Sequence, residues 1–217
     1  MSITTRFKDI VEGLDNYYFH ILGCGAIGSS TAIQLTRMGA EKFCLYDMDR
    51  VSLENIGVSH YILNDVNKPK VNALKDHILS INSSATVKSF DGLFEIFEYQ
   101  GNNDVAILGF DSMQSRLDAV KVLCENPRIK PLFIVDGRMG AEQYQQYFFA
   151  KPTVKAYESK WYPDSEGDPE PCTSKATSYC SNMSGSFIVN TVKKFITGER
   201  VQKEIVFSFP AMLMKNK

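Results

Sequence analysis

Phe19-His20-Ile21-Leu22-Gly23-Cys24-Gly25-Ala26-Ile27-Gly28 decides how the rest of the chain folds. A short apolar run stops at a glycine, as a buried strand does. Apolar side chains then recur at helical spacing, Ile27, Ile33, Leu35 and Met38, until Gly39 closes the pattern. Gly23, Gly25 and Gly28 make a G-x-G-x-x-G turn between strand and helix. The first glycine permits the tight turn, the second lets a phosphate approach the backbone, and the third lets helix pack on strand. The amides opening the helix, around Ala26 and Ile27, then face the anion. A second strand, Phe43-Cys44-Leu45-Tyr46, ends on Asp47, about 20 residues past the turn and placed to accept hydrogen bonds from ribose hydroxyls. Together these features predict a nucleotide site.

Working outward, an irregular stretch runs from Asp49 to Asn67, and Pro69 then starts a helix whose apolar face is Val71, Leu74, Ile78 and Ile81. A strand from Thr86 to Phe90 and a buried strand from Val105 to Leu108 follow, the latter leading to Asp111. A helix with Leu117, Val120 and Leu123 precedes the apolar strand Leu132 to Val135. Such alternation predicts an α/β chain with a Rossmann-like, mostly parallel, doubly wound sheet. Gln143 to Ala150, rich in Tyr and Phe, reads as an antiparallel extension of it. Tyr157 to Pro171 has few apolar residues and many acids and prolines, and reads as exposed chain within a long crossover loop over about residues 157–184. Phe187 to Ile196 resumes a helix stopped by Gly198, and Glu204 to Phe209 is a last strand before a frayed basic tail.

With 217 residues, 44% of them hydrophobic, and 24 basic against 25 acidic side chains, the chain reads as one globular domain over residues 1–217. A net charge of −1 gives no general field for nucleic acid or an anionic membrane. No apolar run is long enough to span a membrane, and MSITTRFKDIVEGLD is too polar for a secretory signal, so a cytoplasmic location is expected. Cys24, Cys44, Cys124, Cys172 and Cys180 are an odd count without a Cys-x-x-Cys pair, which fits a reducing compartment and offers no structural zinc site. Cys24, Cys44 and Cys124 read as small core residues, and His20, His60 and His77 as bystanders.

A nicotinamide-binding protein is the first alternative for such a turn. Tyr147 and Lys151 form the Tyr-x-x-x-Lys pair of a short-chain dehydrogenase, but Pro152 and the run Tyr147-Phe148-Phe149 make this a strand, which sets the two side chains too far apart. The segment after Asp47 points elsewhere. Asp47-Met48-Asp49-Arg50-Val51-Ser52-Leu53-Glu54-Asn55 resembles the D-x-D-x-V-x-x-x-N segment of the ThiF-like adenylyltransferases, which include ubiquitin-activating enzymes and activators of sulfur carriers. Lys68-Pro69-Lys70-Val71 is similar to that family's lysine at a helix start. Gly109-Phe110-Asp111-Ser112 with Arg116 is similar to its D-x-x-x-x-R, and Gly185 with Lys194 to Glu199 resembles the helix after its crossover loop.

Activating a carboxylate on the α-phosphate of ATP needs ribose anchoring, charge neutralisation along the phosphates and a metal on the leaving pyrophosphate. Asp47 can supply the first, Lys70 the second, and Asp111, at the carboxyl end of a parallel strand, can hold Mg²⁺. The resemblance implies these roles, adds Asn55 as a phosphate contact, and places Asp49 beside the nucleotide. It implies ATP and Mg²⁺ as cofactors, a small ubiquitin-like or sulfur-carrier protein as partner, and a homodimer. Val58 departs from the pattern, because the family has an arginine there that reaches the phosphates. Either Arg6 or Arg50 substitutes, from a partner subunit in the case of Arg6, or catalysis is weak; Val58 also keeps open a second alternative, a non-catalytic subunit of a heterodimeric activating enzyme. Pro171-Cys172-Thr173 resembles the site of the thiol that takes the activated carboxylate as a thioester in some members, with Cys180 as the rival nucleophile.

Overall fold

The computed structural model describes residues 3–166 and 176–216. Its strands are β1 (Tyr18–Leu22), β2 (Lys42–Asp47), β3 (Thr86–Asp91), β4 (Asp104–Leu108), β5 (Phe133–Gly140), β6 (Gln143–Ala150), β7 (Glu204–Ser208) and β8 (Leu213–Asn216). Its helices are α1 (Ala26–Arg37), α2 (Lys70–Ile81), α3 (Met113–Cys124), α4 (Val154–Glu158) and α5 (Ser178–Ile196). All strands share one sheet in the order β3-β2-β1-β4-β5-β6-β7-β8. Pairings from β3 through β5 are parallel, and those from β5 through β8 are antiparallel. The expected Rossmann-like sheet with an antiparallel extension is therefore present.

Strand alternation sends side chains to opposite faces, and both faces are covered. Phe19 and Ile21 of β1 pack with Ile33, Leu74, Ile188 and Val192 from α1, α2 and α5. Leu22 lies on the other face with Leu108, Leu117, Val120 and Tyr157, under α3 and α4. Where α1 meets α5 the contact is made by small residues. A Cβ on Gly185 would sit 2.3 Å from Ser30 Oγ, and Ser181 and Ser184 are buried beside it. Among the described residues no helix is long and apolar enough to cross a membrane.

The structure corrects the sequence reading in three places. α5 begins at Ser178, capped by Thr177, nine residues before the predicted start at Phe187. Its first turns are polar and small because they face α1, so they carry no apolar stripe. The basic tail is not frayed: β8 pairs with β7 from Leu213 to Asn216, although its side chains are exposed. Of the segment predicted to be exposed from Tyr157 to Pro171, residues 167–171 lie outside the described residues, and Glu158 to Lys160 and Asp164 to Glu166 are exposed as expected, but its aromatic side chains turn inward. Tyr157, in α4, is 1% exposed, and Trp161 and Tyr162 are half-buried.

The α1–α5 contact predicts that Gly185→Val lowers stability by about 1–3 kcal/mol, since the added side chain has nowhere to go. Urea denaturation with an unchanged midpoint would contradict this packing.

Candidate functional site

From β1 the sheet is built outward through β2 to β3, and the chain then crosses back to place β4 and β5 on the other side of β1; open α/β sheets bind ligands just beyond the strand ends at such a switch point. A cleft of about 1020 Å³ lies there. One wall is the start of α1 (Gly25, Ala26, Ile27), a second is the chain after β2 (Asp47, Met48, Asp49), and a third is the loop after β4 (Gly109, Phe110, Asp111).

The glycines make this arrangement possible for separate reasons. Gly23 has φ +89°, and a Cβ on it would lie 2.8 Å from the backbone of Gly109 and Phe110. A Cβ on Gly28 would lie 1.9 Å from Gly23 O, so only glycine lets the helix pack this close to the turn. At Gly25 nothing described beyond its immediate chain neighbours lies within 4 Å of that position, which opens onto the cleft. No described side chain caps α1, so its first amides lack intrahelical acceptors and are free for an anion.

Asp47 fixes the turn from the neighbouring strand. Its Oδ2 accepts from Cys24 N (2.7 Å) and its Oδ1 from Asp49 N (2.8 Å). Burial raises its pKa, outweighing Lys70 and the two amides. Lys70, the first residue of α2, places Nζ 2.7 Å from Asp49 and 4.0 Å from Asp47. Burial pulls its pKa down, but Asp47 and Asp49 outweigh it and hold the ammonium above the ordinary lysine value. Asp111 is exposed in the cleft and adds to the field on Lys70.

Asn55 lines the cleft, and its Oδ1 accepts from Ser52 N at 3.0 Å, closing a short 3-10 turn over Leu53–Gly57. Val58 lines the cleft where the resemblance calls for arginine, and the buried Ser59 Oγ beside it has no hydrogen-bond partner among the described residues. Arg50 faces away, donating to Asn67 O at 2.6 Å. Arg6 is exposed on the amino-terminal segment, which meets the far end of α1, where Thr4 approaches Gly39. Neither arginine lines the cleft of its own chain.

Tyr61, Asp136 and Arg138 escaped the sequence reading. Tyr61 is 3% exposed, and its hydroxyl donates to Cys24 O (2.5 Å) and lies 3.3 Å from Lys70 O, joining the turn to α2. It sits in an irregular stretch, where no periodicity marks it. Asp136 is a carboxylate within an apolar strand, and that alone was a signal, because a buried charge needs a partner. Tyr147 lies in β6 under the guanidinium of Arg138, so the dehydrogenase-like pair with Lys151 is not on a helix.

Cys172 lies outside the described residues. The rival Cys180 is buried in α5, and burial raises its thiol to about 11. Cys44 is raised to about 12, also by burial, and Cys24 and Cys124 are raised too. A thiol whose pKa is raised stays protonated at neutral pH, and the thiolate is the nucleophile. Iodoacetamide at neutral pH should therefore leave Cys24, Cys44 and Cys180 of the folded protein unlabelled over a time that modifies all of them in urea. Rapid labelling of Cys180, read by mass spectrometry, would contradict this.

Comparison with known proteins adds a lineage to this geometry. The model of the ThiF family matches residues 3–215. A tRNA threonylcarbamoyladenosine dehydratase of Bacillus subtilis is 36% identical over 81 residues, covering 37% of this chain and 32% of that protein. Ubiquitin-like modifier-activating enzyme 5 of Rattus norvegicus is 32% identical over 106 residues, covering 49% of this chain and 24% of that enzyme. The fold of E. coli MccB, solved with ATP, superposes with a TM-score of 0.71 at 18% identity over 94% of this chain and 64% of that one. The chain therefore spans less than two thirds of the relatives it matches. From the glycine turn to β8, it belongs to the ThiF family.

Proposed function

We propose that the protein is an ATP-dependent adenylyltransferase that activates the carboxyl terminus of a small ubiquitin-like or sulfur-carrier protein. The observation that carries this is the uncapped start of α1, open at Gly25, with Lys70 and Asp111 beside it in one cleft. In the reaction a carboxylate oxygen attacks the α-phosphorus of ATP, and the bond to the departing pyrophosphate breaks. The amides of Ala26 and Ile27 and the ammonium of Lys70 stabilise negative charge along the phosphates. Both Asp47 oxygens hold backbone amides, and each retains a lone pair for a ribose hydroxyl. Asn55 is the further phosphate contact.

Among the described residues no three His, Cys, Asp or Glu side chains converge to hold a metal. One carboxylate fits Mg²⁺ nevertheless, because that ion is usually bound by one or two carboxylates together with substrate phosphates and water. Asp111 would hold it, and the ion would neutralise charge on the leaving pyrophosphate.

The relatives include proteins named for a tRNA nucleoside and for a ubiquitin-like modifier. Electrostatics favour a polypeptide here. Asp49, Glu95, Asp111, Asp118 and Asp164 line the cleft, whereas Arg116 and Arg138 are both paired with Asp136. RNA brings a charge at every phosphate and needs a basic surface, while a carboxyl terminus brings one charge. If the product passes on to a thiol, Cys172 is the candidate, because burial raises the pKa of the rival Cys180; otherwise the adenylate goes directly to a partner. Homodimerisation would let Arg6 serve a partner's cleft. Val58 favours a second reading, the non-catalytic subunit of a heterodimeric activating enzyme.

Exchange of labelled pyrophosphate into ATP, in the presence of candidate carriers, separates these readings. Asp111→Ala should slow exchange by several kcal/mol of barrier, on the order of a thousandfold or more. Gly25→Val should abolish it in a folded protein. Near-normal exchange in Asp111→Ala would remove that residue from the chemistry, and no exchange in the wild type with any carrier would favour the non-catalytic reading.

A further inference from the structure

The geometry points to Asp136 as a positioning residue that sets two walls of the cleft at once. It lies in β5 with 0% exposure, and its oxygens are divided between two arginines. Oδ1 accepts from Arg116 Nη1. Oδ2 accepts from Arg138 Nε at 2.8 Å and from Tyr157 Oη at 3.0 Å, and Arg138 Nη2 lies 2.7 Å away as an ion-pair contact without hydrogen-bond geometry. Arg116 is 3% exposed and Arg138 5%.

Each guanidinium has a donor left over, and each spends it on a different wall. Arg116 Nη2 donates to Phe110 O, and its Nη1 also reaches Leu108 O at 3.4 Å, so it grips the loop that presents Asp111. Arg138 Nη1 donates to Lys160 O at 2.8 Å. Lys160 opens the segment that brings Tyr162 and Asp164 to the cleft, and the Tyr162 ring lies 5.2 Å from the Arg138 guanidinium. That segment is tied to α3 as well, because Trp161 Nε1 donates to Met113 O (2.7 Å) and Asp164 Oδ1 accepts from Met113 N (2.9 Å).

A buried ion cluster is poor evidence of stabilisation, since desolvating three charges costs several kcal/mol each and apolar residues of similar size often serve a core as well. Planar guanidinium groups do fix direction, because their donors form a rigid fork. One carboxylate therefore orients both forks, and through them the Asp111 loop and the 160–164 segment. Asp136 touches neither wall itself; it acts through the arginines and, on the 160–164 side, also through Tyr157, whose carbonyl accepts from Lys160 N at 2.9 Å.

Amide hydrogen exchange on the nucleotide-free protein tests this, alongside MgATP titration. Only the titration rests on the nucleotide reading given above. Asp136→Asn should speed exchange about tenfold or more in both 109–112 and 160–164, and weaken MgATP binding about tenfold, the usual cost of removing an outer-shell partner, with its far-ultraviolet circular dichroism unchanged. Arg116→Gln should loosen only 109–112, and Arg138→Gln only 160–164, because each leaves Asp136 holding the other arginine. If Asp136→Asn does not fold, the two arginine variants decide. Both segments loosening equally in each arginine variant, or neither loosening, would overturn the proposal, as would a folded Asp136→Asn with either segment unchanged. A wild type that does not bind MgATP would sink the nucleotide reading and leave the exchange pattern to judge Asp136.

Discussion

The hydrogen bond from the Cys24 amide to the Asp47 carboxylate is the constraint on which the site depends. A turn of glycines has many conformations available, and ordering it is costly in backbone entropy. Asp47 selects one of them from the end of the adjacent strand, and its other oxygen takes the amide of Asp49, whose side chain meets Lys70. One carboxylate thus ties the turn, an acid and the cation into a single arrangement. Burial works against it, which is why its pKa is raised, and two amides with a nearby ammonium offset only part of that cost. Tyr61 completes the frame by holding the carbonyl of the same Cys24.

Around this frame the donors open to an anion are gathered in one place. Backbone amides without acceptors open α1, and Lys70 lies in the same cleft with Asp47 and Asp49 against its ammonium. The two arginines of the cleft are engaged by Asp136. A nucleotide polyanion therefore finds its donors where α1 begins. The carboxyl terminus proposed above as substrate would meet Glu95, Asp118 and Asp164 in the same cleft, which favours a chain that is neutral or basic.

Local rules of sequence reached the centre of the fold. The β1–α1–β2 unit declared itself because strand, glycine turn and helix each carry a local signature, and β6 was marked as a strand by its aromatic run. Misses share a different cause. Ser178 to Ser184 looked like loop because a helix packed against another helix at Ser30 uses small polar residues there. β8 has four exposed residues whose only reason to be a strand is the edge of β7, a partner that no local pattern reveals. Tyr61 and Asp136 act through contacts 37 and 20 residues away, with Cys24 and Arg116, so their roles exist only once the sheet has formed. Lys70 and Asp111 stood out because their positions at a helix start and a strand end carry chemical meaning in any open α/β sheet.

Calorimetric titration of the folded wild-type protein with MgATP and, separately, with NAD tests the central claim most directly. The account predicts that MgATP binds at one site per chain and that NAD produces no heat and does not compete. Saturable NAD binding that excludes MgATP would contradict it.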